Sequence, residues 1–382
     1  MRDIFIVGLG QTPVGEHWHL GLRELGTSAI RAALEDARAD RVDALFAGNM
    51  MAGQLSGQEN VATLLADAAD LLPVEAYKIE AACASGAAAV RMATVAVASG
   101  AFDVALAVGI EKMTDVAPDH VTGTLATAAD QDYESSFGLS FTALNALLMR
   151  RYMHETGHPR EAFAPFAILA HQHAATNAFA MFREPITAED FAESAQVASP
   201  IRILDAAPVC DGAAAVVVCN KSALRPHHKP IRIAASAGAT DTIALAGRKD
   251  FMSLECAARS AEIAYREAKT TPKEMDLFEA HDAFTIMSAL SLEACGFARQ
   301  GEAVRLAQEG AFGLNGELPI STFGGLKARG HPVGASGAYQ IVEAALQLRG
   351  EAGANQVPHA KRAITQSIGG HGSVIVTHIL EG

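Results

Sequence analysis

The sequence predicts a layered α/β fold built from two similar halves, and three observations carry that prediction. First, Ala84-Ser85-Gly86-Ala87 and Ala335-Ser336-Gly337-Ala338 open two helix-like runs that end at Gly100 and Gly350, an internal repeat. Second, short β-branched apolar runs bounded by glycine alternate with helix-length runs, the pattern of strands buried on both faces. Third, 50% of the 382 residues are hydrophobic, 19% are charged and 33 are glycine, which fits a large, closely packed core and excludes disorder as the main description. The length allows two ordinary domains or one duplicated unit, and the repeat selects the latter.

In chain order, Met1-Arg2-Asp3-Ile4-Phe5-Ile6-Val7-Gly8 reads as a first strand, because an acid directly precedes a short apolar run where a signal peptide needs a longer one. A helix over Ala29 to Ala39 leads to a strand over Val42 to Phe46. A strand over Ala76 to Glu80 runs through Cys83 into the helix ending at Gly100, followed by a strand over Asp103 to Val108. Residues 115–200 change character, with helical patterns over Leu144 to His154 and Ala162 to Phe179, and read as an insertion covering one face of the first half. Its His154, His158, His171 and His173 have no acidic or Cys partners at metal spacing and read as surface or packing residues. The second half repeats the order: helix Ala257 to Lys269, strand Met275 to Phe278, helix Ala335 to Gly350, strand Arg362 to Ser367. Asp211 to Val218 resembles Gly369 to Val376. The expected division is 1–114 with 201–228, an insertion at 115–200, and 229–382.

Thirty Lys and Arg against 43 Asp and Glu give a formal charge of −13, which argues against general binding to nucleic acid or to an anionic membrane. No uninterrupted apolar stretch reaches the roughly 18 to 20 residues of a membrane span. The five cysteines (Cys83, Cys210, Cys219, Cys256, Cys295) are scattered without CxxC or Cys/His zinc spacing, so the expectation is a reducing, cytoplasmic setting with no metal and no redox cofactor.

Cys83 is the cysteine with a chemical setting. It lies at a strand-to-helix turn among small neighbours, where free N–H groups and the helix dipole are expected to stabilise a thiolate. The other four read as structural. Gly324-Gly325-Leu326-Lys327-Ala328-Arg329-Gly330-His331-Pro332-Val333-Gly334 leads into the helix that pairs with the Cys83 helix in the repeat. Pseudo-twofold packing of the two would bring a thiol and an imidazole together, a nucleophile with its base. His281 follows a strand end, a common ligand position in α/β folds, although a structural histidine reads equally well there. Gly369-Gly370-His371-Gly372 fits an oxyanion hole or simply a turn that needs positive φ.

The order Cys83-Ala84-Ser85-Gly86, Ser199 to Asp205 with Asp211-Gly212-Ala213-Ala214, His281-Asp282-Ala283-Phe284, Gly330-His331-Pro332-Val333-Gly334-Ala335-Ser336-Gly337 and Gly369-Gly370-His371-Gly372 resembles the thiolase superfamily over nearly the whole chain. The His-Asp-Ala-Phe form is most similar to the archaeal-type and sterol-carrier-protein-like branch. The resemblance implies a duplicated αβαβα fold with a covering loop domain, and a reversible Claisen condensation or thiolysis through an acyl-Cys83 thioester formed from acyl-CoA, most simply acetyl-CoA. It makes His331 the base that activates Cys83. It places His281 and His331 at one oxyanion position, and the Cys83 amide and Gly369 at the other. It further implies a homodimer or homotetramer and, for some relatives, an OB-fold, zinc-ribbon partner protein.

The family's second catalytic cysteine is missing, because Ser367 stands at one of its positions and Ala283 at the other. A hydroxyl is too weak an acid to replace a thiol near neutrality, which leaves His281 or His371 to move the proton at the α-carbon. Two other readings compete with this one: a decarboxylating condensing enzyme similar to ketoacyl synthases, drawn from the Cys83, His281, His331 set, and a weakly catalytic acyl-CoA-binding subunit of a larger assembly. CoA phosphates need local positive charge, for which Arg150, Arg151, Arg160, Arg248 and Lys249 are candidates, each otherwise an ordinary solvated charge.

Overall fold

The computed structural model describes residues 3–382. Met1 and Arg2, part of the run read as the first strand, lie outside the described residues. The first half runs β1 (Ile4–Gln11), α1 (Leu22–Ala37), β2 (Ala44–Gly48), the short α2 (Ala52–Leu55) and α3 (Val61–Ala68), β3 (Glu75–Ile79), α4 (Ser85–Ser99) and β4 (Val104–Glu111). The insertion adds α5 (Pro118–Leu125), α6 (Phe141–Thr156), α7 (Ala164–Ala174), α8 (Ala188–Glu193) and a ribbon of β5 (Gln196–Ala198) and β6 (Ile201–Arg202). Then β7 (Gly212–Asn220) completes the half. The second half runs β8 (Ile231–Thr240), α9 (Glu255–Ala268), β9 (Leu277–Glu279), α10 (Thr285–Ala294), α11 (Ala303–Gln308), α12 (Val333–Arg349), β10 (Arg362–Gly369) and β11 (Val374–Glu381).

Among the described residues the main sheet has nine strands in the order β3-β2-β4-β7-β1-β8-β11-β10-β9. The two sides mirror each other. In both halves the strand after the first long helix pairs in parallel with the strand after the middle helix, β2 with β4 and β9 with β10. Ile320, bridged in parallel to Phe278, stands where β3 stands beside β2. The halves join at β1 and β8 through the pairs Phe5 with Arg232 and Ile6 with Ile231.

Strand alternation divides the molecule into five layers. On β2, Leu45 and Ala47 pack with Leu25, Ile30 and Leu65 of α1 and α3, whereas Ala44 and Phe46 face Val90 and Ala93 of α4. The same inner cluster holds Ala335, Ala338 and Val342 of α12 with Ala363 and Leu380 of the second half, so α4 and α12 form the middle layer. By length and composition the stretch Ala82–Ser99 would be apolar enough to cross a membrane, but here it is the core helix of that layer. The two helices approach closely at their N-terminal ends. A Cβ on Gly86 would come within 2.7 Å of the Gly334 carbonyl, and one on Gly337 within 2.5 Å of the Ala87 amide. Glycine here is a requirement of close approach.

Three sequence expectations change. Helix α1 starts at Leu22 instead of Ala29, with Leu22, Leu25, Ala29 and Ile30 on one buried face. Strand β8 was not anticipated, because its alternation consists mostly of alanine and glycine. The bulk of the insertion covers the second half and not the first. Leu144, Leu148 and Tyr152 of α6 and Phe166 of α7 pack with Ile286 and Leu290 of α10, and the Tyr152 hydroxyl donates to Glu293 Oε1 at 2.6 Å.

Candidate active site

The turn after β3 fixes the Cys83 sulfur. Ala82 sits at φ +49°, and the Ser85 hydroxyl donates to the Ala82 carbonyl at 2.6 Å while accepting from the Ala81 amide at 2.9 Å. Cys83 is buried among Met51, Leu55, Met113, Val121 and Val333. Its ionisation differs from the sequence expectation. Burial pushes the thiol up to about 12, and the charges of Glu111 and Glu80 add to that, while the N–H groups of Cys83 itself and of Gly370 pull the other way without prevailing. The resting group is therefore a neutral thiol that needs a base.

His331 presents a neutral imidazole. His331 donates its backbone N–H to Cys210 Sγ at 3.0 Å, and its Nδ1 lies 2.7 Å from Ser336 Oγ. With the Ser336 hydroxyl directed at the Pro332 carbonyl, we assign the Nδ1 proton to the bond with Ser336, which leaves Nε2 as the free acceptor. Burial, then His281, Arg329 and Lys327, hold His331 well below the usual imidazole range. His281 packs edge-to-face on it, ring centroids 5.1 Å apart. His281 is itself pushed down to about 3 by burial and by Lys327 and Arg329, and its buried Nδ1 has no partner.

The two histidine loops are fastened together by Asp282. Its Oδ1 accepts from the Leu326 amide at 2.6 Å, and its carbonyl accepts from the buried Lys327 Nζ. Residues Gly325–Arg329 form one wide π turn, a local distortion common at functional sites, and Gly330 follows at φ +114° with Val14 and Cys210 against its Cα.

The loop after β10 supplies the remaining wall. Gly369 lies directly on the Ala81 carbonyl, Gly370 has φ +62°, and the Gly370 N–H faces the Cys83 sulfur. His371 is fully buried, and burial with the nearby Arg248 pushes it down to about 4 against the pull of the Ile243 backbone. Arg248 is not a solvated charge: it is 8% exposed and donates through Nη2 to the His371 carbonyl at 2.6 Å. The Ser367 hydroxyl donates to Gln340 Oε1 at 2.5 Å, and Gln340 Nε2 donates to the carbonyls of Glu279 and Ala280, just before His281.

The other basic candidates do not gather in one place. Arg150 is exposed and donates to Ser199, Arg151 pairs with Glu155 one turn along α6, and Lys249 is exposed. Arg160 is buried against Asp205 and over the Phe191 ring, so it too is no solvated charge. His154 is exposed, whereas His171 and His173 are buried with Nδ1 near the carbonyls of Glu184 and Ser321. Among the described residues no three His, Cys, Asp or Glu side chains come together as a metal site.

Sequence reasoning missed two residues. Glu111, at the end of β4, carried no motif that was recognised. Cys210 was read as structural, although it touches the His331 backbone; the Asp211-Gly212 stretch beside it was the available signal. Asp211 is itself a knot. Burial would raise its carboxyl, but bonds from Lys112, Thr114, His17 and Met113 hold it below the usual carboxylate range. A buried thiol, a neutral imidazole with a free nitrogen and N–H groups aimed at the sulfur are the parts of covalent acyl transfer.

Comparison with known proteins gives a consistent picture. A family model described as "Thiolase, N-terminal domain" matches residues 4–222, and one described as "Thiolase C-terminal domain-like" matches 237–382. A protein named acetyl-CoA acetyltransferase from Methanothermobacter thermautotrophicus is 42% identical, over 99% of both chains. Human sterol carrier protein 2 is 27% identical over 99% of this chain and 72% of its own length. A solved structure titled "Ltp2-ChsH2(DUF35) aldolase" superposes with a TM-score of 0.87 at 24% identity, over 100% of this chain and 98% of that one, a likeness of fold.

Proposed function

The chain belongs to the thiolase family, and from that premise we propose how its residues divide the work of a thiolase-type acyltransferase. Cys83 takes the acyl group from acyl-CoA. His331 Nε2 receives the thiol proton as the C–S bond to the acyl carbon forms, and returns it to the departing CoA sulfur. The N–H groups of Cys83 and of the Gly369–Gly370 turn hold the thioester oxygen while it carries negative charge. His281 takes the proton from the α-carbon of the second acyl-CoA, the resulting carbanion attacks the carbonyl of the Cys83 thioester, and the C–S bond breaks to give the 3-ketoacyl-CoA and a Cys83 thiolate that recovers the proton from His281. Thiolysis is the reverse. The observation that carries this reading is the edge-to-face pair of neutral histidines on two loops tied by Asp282, with Val333, two residues after His331, packed in the cluster around Cys83.

His281 is preferred to His371 because its ring packs edge-to-face on that of His331, with the centroids 5.1 Å apart. The substrate we propose is acetyl-CoA, after the relatives of that name. The same relatives, matched over nearly the full chain, do not favour the decarboxylating reading or the non-catalytic one. The test is acetoacetyl-CoA consumption in the presence of CoA, with malonyl-CoA as control. We expect CoA-dependent cleavage and no release of carbon dioxide. Carbon dioxide release from malonyl-CoA without thiolysis would overturn the assignment.

We also propose that the chain acts as a homo-oligomer. Support comes from β3, an edge strand of the sheet on which Tyr77 is 54% exposed, a surface that invites strand pairing. An OB-fold partner is the further part of the proposal. The structural neighbour's title names a DUF35 component of its own assembly. Recovery of activity on adding such a protein, against full activity alone, decides the point.

A further inference from the structure

Glu111 is a fully buried carboxyl that joins three separate parts of the site. Its Oε1 accepts from Asn49 Nδ2 at 2.7 Å and the Met51 amide at 3.1 Å; its Oε2 accepts from the Met50 amide at 2.9 Å and the Gly334 amide at 3.1 Å. Met50 and Met51 belong to the wall around Cys83, and Gly334 is in the first turn of α12, three residues after His331. Gly334 has to be glycine for this contact, because a Cβ there would come within 2.5 Å of Glu111 Oε2. A carboxylate at a helix N-terminus is well placed electrostatically, and this one arrives from the opposite half of the duplicated fold. We propose that Glu111 is the positioning residue that ties the His331 helix to the Cys83 wall, and that its carboxylate places a negative charge behind that wall. This rests on the acyltransferase reading for its effect on rate, but not for its effect on the thiol.

The two roles have separable signatures. The charged groups that act on Cys83 are Glu111 from β4 and Glu80 from the turn after β3, and Lys78 of β3 acts on Glu111. Burial raises Glu111 itself to about 7, against the pull of its backbone donors, so its charge is partial near neutrality. Glu111→Gln removes the charge and breaks the fourfold acceptor pattern. Gly334→Ala breaks the contact from the other side and keeps the carboxyl, which, with one backbone donor fewer, still carries its charge at the alkaline end of the pH range.

Two readouts are needed: the rate of acetyl transfer to Cys83 from acetyl-CoA by intact-protein mass spectrometry, and the rate of Cys83 alkylation by iodoacetamide from pH 7 to 10. Both variants should acetylate about 10- to 100-fold more slowly than wild type, the scale of a small misplacement of reacting groups. The double variant should be no slower than the slower single one. Only Glu111→Gln should displace the alkylation profile to lower pH, by about one unit, or roughly tenfold faster at a given pH. Wild-type acetylation rates in either variant would overturn the proposal, as would equal displacement of the alkylation profile in both or multiplied losses in the double variant. If Glu111→Gln does not fold, Gly334→Ala alone still decides the positioning role. Failure of the wild type to acetylate at all would instead count against the acyltransferase mechanism.

Discussion

At the scale of single residues, the proposed mechanism works with groups that stay neutral until they react. Burial holds Cys83 as a thiol and His331 and His281 as free imidazoles, so proton transfer between the first two creates charge only when an acyl group is present to be attacked. Ser336 sets which nitrogen of His331 is free. Ser336→Ala should therefore slow acetylation of Cys83 by about 10- to 100-fold with little change in KM, since the imidazole loses its fixed tautomer; an unchanged rate would remove that role. Arg248 was legible in the sequence only as a positive charge. Its bond to the His371 carbonyl makes it a clamp on the Gly369–Gly372 turn, so Arg248→Met should lower kcat while leaving the KM for CoA close to wild type, where loss of a CoA ligand would raise KM. Cys83 and His331 were legible because each stands beside glycines at a helix start. Glu111 was not, because its function depends on donors from residues 49–51 and 334 that only the fold brings together.

At the scale of elements, the repeat was readable because small residues have to recur where α4 and α12 meet. Gly86 and Gly337 are the visible trace of that contact. Strand β8 and the first turns of α1 escaped because alanine and glycine carry little periodicity. The placement of the insertion escaped for a different reason. An amphipathic helix shows that it needs a partner and does not show which one, and α6 and α7 found α10. The joint between them centres on Asp205, which accepts from Arg160 Nε at 2.8 Å and from the Thr285 hydroxyl at 2.7 Å, all three buried. Removing one partner of a buried pair leaves the other charge uncompensated, so Asp205→Ala should cost about 3–5 kcal/mol in urea unfolding. A loss under about 1 kcal/mol would mean the joint is held by its apolar contacts alone.

At the scale of the molecule, buried titratable groups should shape stability against pH. His281, His371 and His378 are pushed down to about 3, 4 and 4 from 6.5, and His331 moves the same way, all through burial first. A group neutral in the fold and protonated when unfolded costs stability as pH falls below 6.5. Glu111 and Glu279 are raised by burial from 4.5 to about 7 and Glu343 to about 8, so their contribution is full below 4.5 and is lost as pH rises to about 7 and 8. With His171 and His173 moving the same way, the imidazoles outnumber the raised carboxyls between these limits, and above 6.5 the carboxyls dominate. Unfolding free energy should therefore peak near pH 6.5, fall steeply toward pH 5 and decline gently toward pH 7.5. A monotonic rise through pH 7.5 in denaturant titrations would contradict this.

At the centre of the proposed mechanism a thioester forms on Cys83 and His331 makes it form. The most direct measurement is rapid-quench mass spectrometry of the protein mixed with acetyl-CoA, with peptide mapping, in wild type, Cys83→Ala and His331→Asn. The account predicts one acetyl group per chain on the Cys83 peptide, removed by added CoA, absent in Cys83→Ala and slowed at least about 100-fold in His331→Asn. An acetyl group on another residue, or undiminished labelling in either variant, would contradict it.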